Sequence, residues 1–191
     1  EISPAANVHL LPIEAGFVGA DNVGVLIATE PYNASEIALI MDIGTNGEIV
    51  LGNGEKLLTA SCATGPALEG AHIRWGMRAA AGAIERVRID PKTYDVSYQV
   101  IRDPLEPYSE IKPRGICGSG IVDAIAQMLR ANLILKNGTF NPTIDISRLR
   151  KIGKKQEFVI AWADETTMGK DITISIDDIR AVQLAKGALY A

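Results

Sequence analysis

Apolar and polar positions in residues 37–61, IALIMDIGTNGEIVLGNGEKLLTAS, predict three short strands joined by two tight turns. The apolar run from Ile37 to Met41 reads as a buried strand that delivers one carboxylate, Asp42, to its end. Gly44-Thr45-Asn46-Gly47 then reverses the chain, with two glycines to supply positive φ and close backbone approach. Glu48 to Leu51 returns as a second strand, and Asn53-Gly54 turns it into a third, Lys56 to Ser61. The first turn therefore carries an acid, a hydroxyl, an amide and several N–H groups, an inventory suited to a magnesium-bound phosphate.

Ahead of this stretch, Val8 to Leu11 is a short apolar piece stopped by Pro12 and reads as a short or edge strand. A glycine-punctuated loop, Ala15 to Asp21, leads into a helix over Val23 to Thr29 that Asp21 or Asn22 caps and Pro31 ends. After it, Ser61 to Gly70 runs from strand into small residues, with Gly65 for a turn and Pro66 at a first helical position. That helix ends near Gly70 or Gly76, and its first N–H groups make a second anion-binding element. Alternation over Ala83 to Ile89 and Tyr94 to Ile101 predicts a two-stranded hairpin with many exposed polar positions, an edge or an insertion. Asp103 to Arg114, with three prolines, reads as an ordered connector.

Gly115-Ile116-Cys117-Gly118-Ser119-Gly120 opens a helix whose apolar residues keep a helical period from Ile121 to Leu133 and which Lys136-Asn137-Gly138 ends. A glycine-rich loop opening a helix can cradle a phosphate or carboxylate, and tight packing of the helix start explains the glycines equally well. A strand over Glu157 to Ala163, a turn at Thr166 to Lys170 and a short extended piece, Ile172 to Ile174, follow. Ser175 with Asp178 three residues on resembles a capping box for a last helix, which the chain leaves uncapped at Ala191, the pattern of a truncation.

Composition narrows the function classes. The 191 residues are 47% hydrophobic and 22% charged, values of an ordinary globular protein, and the net charge of −4 offers no field for nucleic acid or an anionic membrane. No apolar run is long enough to span a bilayer and no signal-peptide core stands at the start, so a cytoplasmic chain is expected. Cys62 and Cys117 have no CxxC spacing and read as free thiols, and His9 and His72 as structural. A single domain is expected over 1–191, with a lead-in strand and helix over 1–35 and the main body over 36–191.

Four stretches then meet a family. MDIGTNGEIVLGN is followed by ASCATGPALEGAHIRWGMRAAAGAIERV, GICGSGIVDAIAQML and ISIDDIRAVQLAKGALYA, with AGFVGAD ahead of them all. That ordered set resembles the C-terminal ATPase region of the reductive activators of corrinoid proteins, over nearly the whole chain. The resemblance implies an α/β fold of RNase H type, a subdomain of the actin, sugar-kinase and heat-shock ATPase (ASKHA) superfamily, with a mixed sheet, antiparallel hairpins and flanking helices. It implies ATP and Mg²⁺ as cofactors, and a [2Fe-2S] cluster in a ferredoxin-like domain of the full-length chain that is absent from these residues. It implies a corrinoid protein as partner and a homodimer. CATGPALEG is also similar to the cysteine-containing helix start of the activators of 2-hydroxyacyl-CoA dehydratases, which share a cluster across a dimer; Cys117 does not stand in their second cysteine motif.

Carried over by motif, the resemblance gives Asp42 the catalytic role of holding or orienting Mg²⁺ through water, and gives Gly44, Thr45, Asn46 and Gly47 the β- and γ-phosphates. Gly65 and its neighbours close the phosphate site, and Gly118, Ser119 and Gly120 make nucleotide, substrate-side or partner contacts. Two rival readings differ in class: a docking and dimerisation module on a vestigial ATPase fold, and a small-molecule kinase domain.

Overall fold

Strand β1 (Ala38–Ile43) pairs antiparallel with β2 (Gly47–Gly52), and β2 with β3 (Leu57–Cys62), so the alternating stretch forms the three-stranded meander its turns predict. The computed structural model describes residues 3, 5–105, 111–153 and 155–191; Pro4 of the lead-in and residues 106–110 of the proline-rich connector lie outside them. The described residues group into two compact units, 1–63 and 64–191. The boundary between these two units falls after β3.

In the first unit, helix α1 (Ala20–Thr29) begins at Gly19 without a side-chain cap. Asp21, the expected cap, lies inside the first turn, where its Oδ1 accepts from the Asn22 N–H at 2.9 Å and its charge complements the helix dipole. Glu30, left-handed at φ 48°, closes the helix onto the Leu26 carbonyl just before Pro31. Val8 to Leu11 is not a strand: no strand pairs with it among the described residues, and Val8 and Leu10 are exposed.

The run Ile37 to Met41 is not buried either. A pleated strand sends successive side chains to opposite faces, and on β1 Leu39 is 60% exposed while Ile40 is half-buried. Register aligns Leu39 with Leu51 and Leu58, Met41 with Ile49 and Ala60, and Ile43 with Gly47 and Cys62, so one face of the sheet is apolar throughout. The opposite face carries Ile40, Val50 and Thr59 in one row and Asp42, Glu48 and Ser61 in the next.

The second unit has a mixed sheet in which β4 (Ala83–Ile89) pairs antiparallel with β5 (Val96–Val100) and parallel with β6 (Gly115–Ile116). Helix α2 (Gly118–Arg130) lies along β4; Gly120 permits this, since a Cβ there would meet the Ile84 carbonyl oxygen at 2.1 Å. The helix stops one turn earlier than its apolar period suggested. Asn132 turns left-handed at φ 58°, and Leu133 and Ile134 then enter the core from an extended segment that bridges Ile134 to Phe140.

An antiparallel sheet of β7 (Leu149–Ile152), β8 (Lys155–Ala161) and β9 (Ile172–Ser175) hands the chain to α3 (Ile176–Tyr190). The expected capping box is formed: the Ser175 hydroxyl accepts from the Asp178 N–H at 3.3 Å, and Asp178 Oδ2 accepts from the Ser175 N–H at 2.8 Å. Asp178 is buried and also accepts from the Arg74 N–H at 2.9 Å. Ile84, Ile116, Ile121, Met128, Phe158 and Ile174 close one core between these sheets and helices. The result is the expected α/β class, with a mixed sheet and antiparallel hairpins.

Candidate functional site

The turn after β1 spans Gly44 to Asn46 and is tied by the Gly44 N–H, which donates to the Asn46 carbonyl at 3.0 Å. Neither Gly44 nor Gly47 takes a left-handed φ, contrary to the expectation from their sequence positions. Gly47 is instead the buried first residue of β2, and its carbonyl accepts from the Cys62 thiol at 3.2 Å. Cys62 is a free thiol, and here it acts as a weak donor that fastens β3 to the turn.

Directly behind the turn, Asp42 stands opposite Glu48, and Glu48 opposite Ser61. Asp42 is half-buried and Glu48 is buried, with Glu48 Oε1 accepting from the Ser61 hydroxyl at 3.1 Å. Like charges facing each other across two strands oppose pairing, so the Asp42–Glu48 position gains from a cation. Two carboxylates on one face, beside a hydroxyl, are an oxygen donor set for a hard dication that keeps most of its water, and the backbone N–H groups of the turn suit the anion such a dication carries. Among the described residues no group of three or more His, Cys, Asp and Glu is placed to hold a metal ion; magnesium ordinarily takes only one or two carboxylates and completes its shell with phosphate oxygens and water.

Sequence reasoning named Asp42, Gly44, Thr45, Asn46 and Gly47, and the structure gathers all five at one end of this sheet. It gave Glu48 no chemical role, passed over Ser61, and read Cys62 as a free thiol without its bond to the turn. The period-2 alternation held the signal, because a short hairpin fixes which residues face one another across it.

The remaining expected residues belong to the second unit. Gly65 holds φ 76° with open space where a Cβ would project, and Pro66 starts a four-residue 3-10 turn, Pro66–Glu69, that Gly70 closes at φ 86°. The expected helix at this point is thus a single short turn, which lacks the aligned dipole of a longer helix. Gly118 and Ser119 line a cavity of about 490 Å³ together with Leu68, Glu69, Arg78 and Cys117. Gly118 is forced by packing, since a Cβ would lie 1.8 Å from the Leu68 carbonyl oxygen. Gly118, Ser119 and Gly120 are the first three residues of α2, whose N–H groups have no partner within the helix. Cys117 is buried, its thiol 3.3 Å from the Ile84 carbonyl and 3.3 Å from the Ser119 hydroxyl.

No helix among the described residues is long and apolar enough to cross a membrane. Comparison with known proteins gives one consistent answer. A family model described as the C-terminal domain of RACo, the ASKHA domain, matches residues 36–191. The chain is 42% identical over 196 aligned residues to the corrinoid activation enzyme RamQ of Eubacterium limosum, covering 99% of this chain and 31% of that protein. It is 34% identical over 134 residues to the [Co(II) methylated amine-specific corrinoid protein] reductase of Methanosarcina barkeri, covering 62% of this chain and 24% of that one. A solved structure, a reductive activator for a corrinoid, iron-sulfur protein, superposes with a TM-score of 0.85 at 43% identity over 94% of this chain and 28% of its own. The chain therefore spans a third or less of the length of the relatives it matches.

Proposed function

The chain belongs to the family of the C-terminal ASKHA domain of RACo, and on that footing we propose that it supplies part of the ATP-binding and hydrolysis cleft of a reductive activator. In the full-length protein, hydrolysis would drive the uphill one-electron reduction of a corrinoid protein from Co(II) to Co(I). The names of the two relatives, a corrinoid activation enzyme and a Co(II) corrinoid protein reductase, support that reaction class. The electron would come from a [2Fe-2S] ferredoxin-like domain outside residues 1–191, and a homodimer is the assembly that the resemblance implies.

The observation that carries the reading is the Asp42–Glu48–Ser61 row behind the turn. Asp42 would hold Mg²⁺ through water, and the metal would neutralise charge on the β- and γ-phosphates. Of the turn residues Gly44, Thr45, Asn46 and Gly47, the Gly44 N–H closes the turn onto Asn46, and the backbone of the others with the Thr45 hydroxyl would rearrange to meet phosphate oxygens that gain charge as the terminal phosphoryl leaves. The hydrogen bond from Ser61 keeps Glu48 turned along the sheet, and the Cys62 thiol keeps the turn from opening. In the second unit Gly65 and the leading N–H groups at Gly118, Ser119 and Gly120 are the proposed further contacts to nucleotide or partner.

Titrating Mg-ATP into the full-length protein while following hydrogen exchange tests this. Exchange should slow at residues 42–48, and slow much less with ATP when Mg²⁺ is chelated. Saturation with Mg-ATP that leaves this segment unprotected would speak for a docking module instead.

A further inference from the structure

The outer face of the β4–β5 hairpin plays no part in the nucleotide chemistry proposed above. Pairing sets Arg86 opposite Gln99 and Arg88 opposite Ser97, and all four residues are exposed. An irregularity in register at Glu85 makes this possible. Ile84 points into the core, and strict alternation would send Arg86 inward after it; the extra residue shifts the phase, so that Val87 and Ile89 go in and both arginines come out. With Ser97, Tyr98 and Gln99 the two arginines line a cavity of about 350 Å³.

Arg88 is held from one side. Its Nη1 donates to the Val87 carbonyl at 3.2 Å and to both Asp123 oxygens at 3.3 Å, while Asp123 Oδ2 also accepts from the Val87 N–H at 2.9 Å. These contacts all use Nη1. The Nε and Nη2 groups, the edge that grips a carboxylate with two parallel hydrogen bonds, have no acceptor among the described residues. Arg86 two residues along has no ion-pair partner among them either.

We infer that this face docks an acidic surface of a partner protein, with carboxylates seated on the guanidinium forks of Arg86 and Arg88 and with Ser97 and Gln99 bonding beside them. The chain as a whole is acidic, at −4, so an acidic partner is repelled in general and admitted where the two arginines stand together, Arg88 already held in place by Asp123. Both arginines are exposed on an open strand surface. A small anion there stays largely hydrated, whereas a protein surface excludes water from the pair and strengthens it. Arginine is also a residue that interfaces favour.

The test uses the full-length protein and a short synthetic peptide that alternates Glu with Ser, read by fluorescence anisotropy and hydrogen exchange. The peptide should slow exchange at residues 86–88 and 97–99, and a Gln-for-Glu version should not bind. The double variant Arg86→Glu, Arg88→Glu should weaken binding at least about tenfold. Arg88→Lys keeps the charge and loses the fork, and should weaken it severalfold. Protection elsewhere, or affinity indifferent to Arg88→Lys and to the double reversal, would overturn the proposal. So would full displacement of the peptide by inorganic phosphate at equal concentration, which would mark a site for small anions. Circular dichroism checks the reversal, and should it misfold, Arg88→Lys and the Gln peptide decide the matter.

Discussion

In residues 64–191, β4, β8, β9 and the two helices turn Ile84, Val87, Ile121, Phe158, Ile160, Ile174 and Ile179 into a shared interior, with Asp178 and Glu157 buried among hydrogen-bonding partners. In residues 1–63, Val18, Pro31 and Val50 are the buried apolar side chains among those described, and the apolar face of the sheet lies open at Leu39, Met41, Leu51 and Leu58. The candidate phosphate turn therefore rests on a sheet held mainly by strand pairing, with the Ser61–Glu48 hydrogen bond across β2 and β3. Stability is concentrated in one unit, and the chemistry proposed for Asp42 in the other.

This division predicts a graded set of effects on unfolding of the 191-residue chain by denaturant. Phe158→Ala, in the closed core, should cost about 3–5 kcal/mol. Arg150→Met should cost about 2–3 kcal/mol, because Glu157 loses one of its two arginine partners and Asp171 loses its ion pair, while Arg74 remains. Ser175→Ala removes the cap of α3 and should cost about 1 kcal/mol. Leu39→Ser, on the open face, should stay within about 0.5 kcal/mol. A cost at Leu39 equal to that at Phe158 would break the contrast.

The smallest effect is a pH dependence. Burial first, then the negative charge of Glu165, raises the Tyr98 hydroxyl above its ordinary pKa. Between about pH 10 and that raised value the folded chain holds a proton that the unfolded chain releases. The contribution is complete below about pH 10 and is lost as pH rises through the folded pKa. The midpoint of thermal unfolding should fall in this window, and fall less steeply in Tyr98→Phe.

Local signals were legible where a short span of chain decides the outcome. Asn53-Gly54 and the alternation around it gave the meander, and Ser175 with Asp178 gave the capping box. The end of α2 was not legible, because Leu133 continues the helical period and only burial of Leu133 and Ile134 from an extended segment explains the break at Asn132. The glycine logic also divided. Gly65 needs its positive φ, but Gly118 and Gly120 are required by backbone approach from Leu68 and Ile84, which no local pattern states. The cluster of Glu157 with Arg74, Arg150 and Thr173 rests on bonds between residues up to 83 positions apart and leaves no mark in sequence spacing.

At the candidate site, the turn was read from residue types alone, while the Asp42–Glu48–Ser61 row needed the register. That row now carries the proposal, and Asp42 is its most direct point of attack. ATP hydrolysis by the full-length protein, measured with and without a Co(II) corrinoid protein, should be faster with the partner present. In Asp42→Ala it should fall about a hundredfold or more while circular dichroism is unchanged. Hydrolysis by Asp42→Ala at the rate of the parent protein would contradict the account.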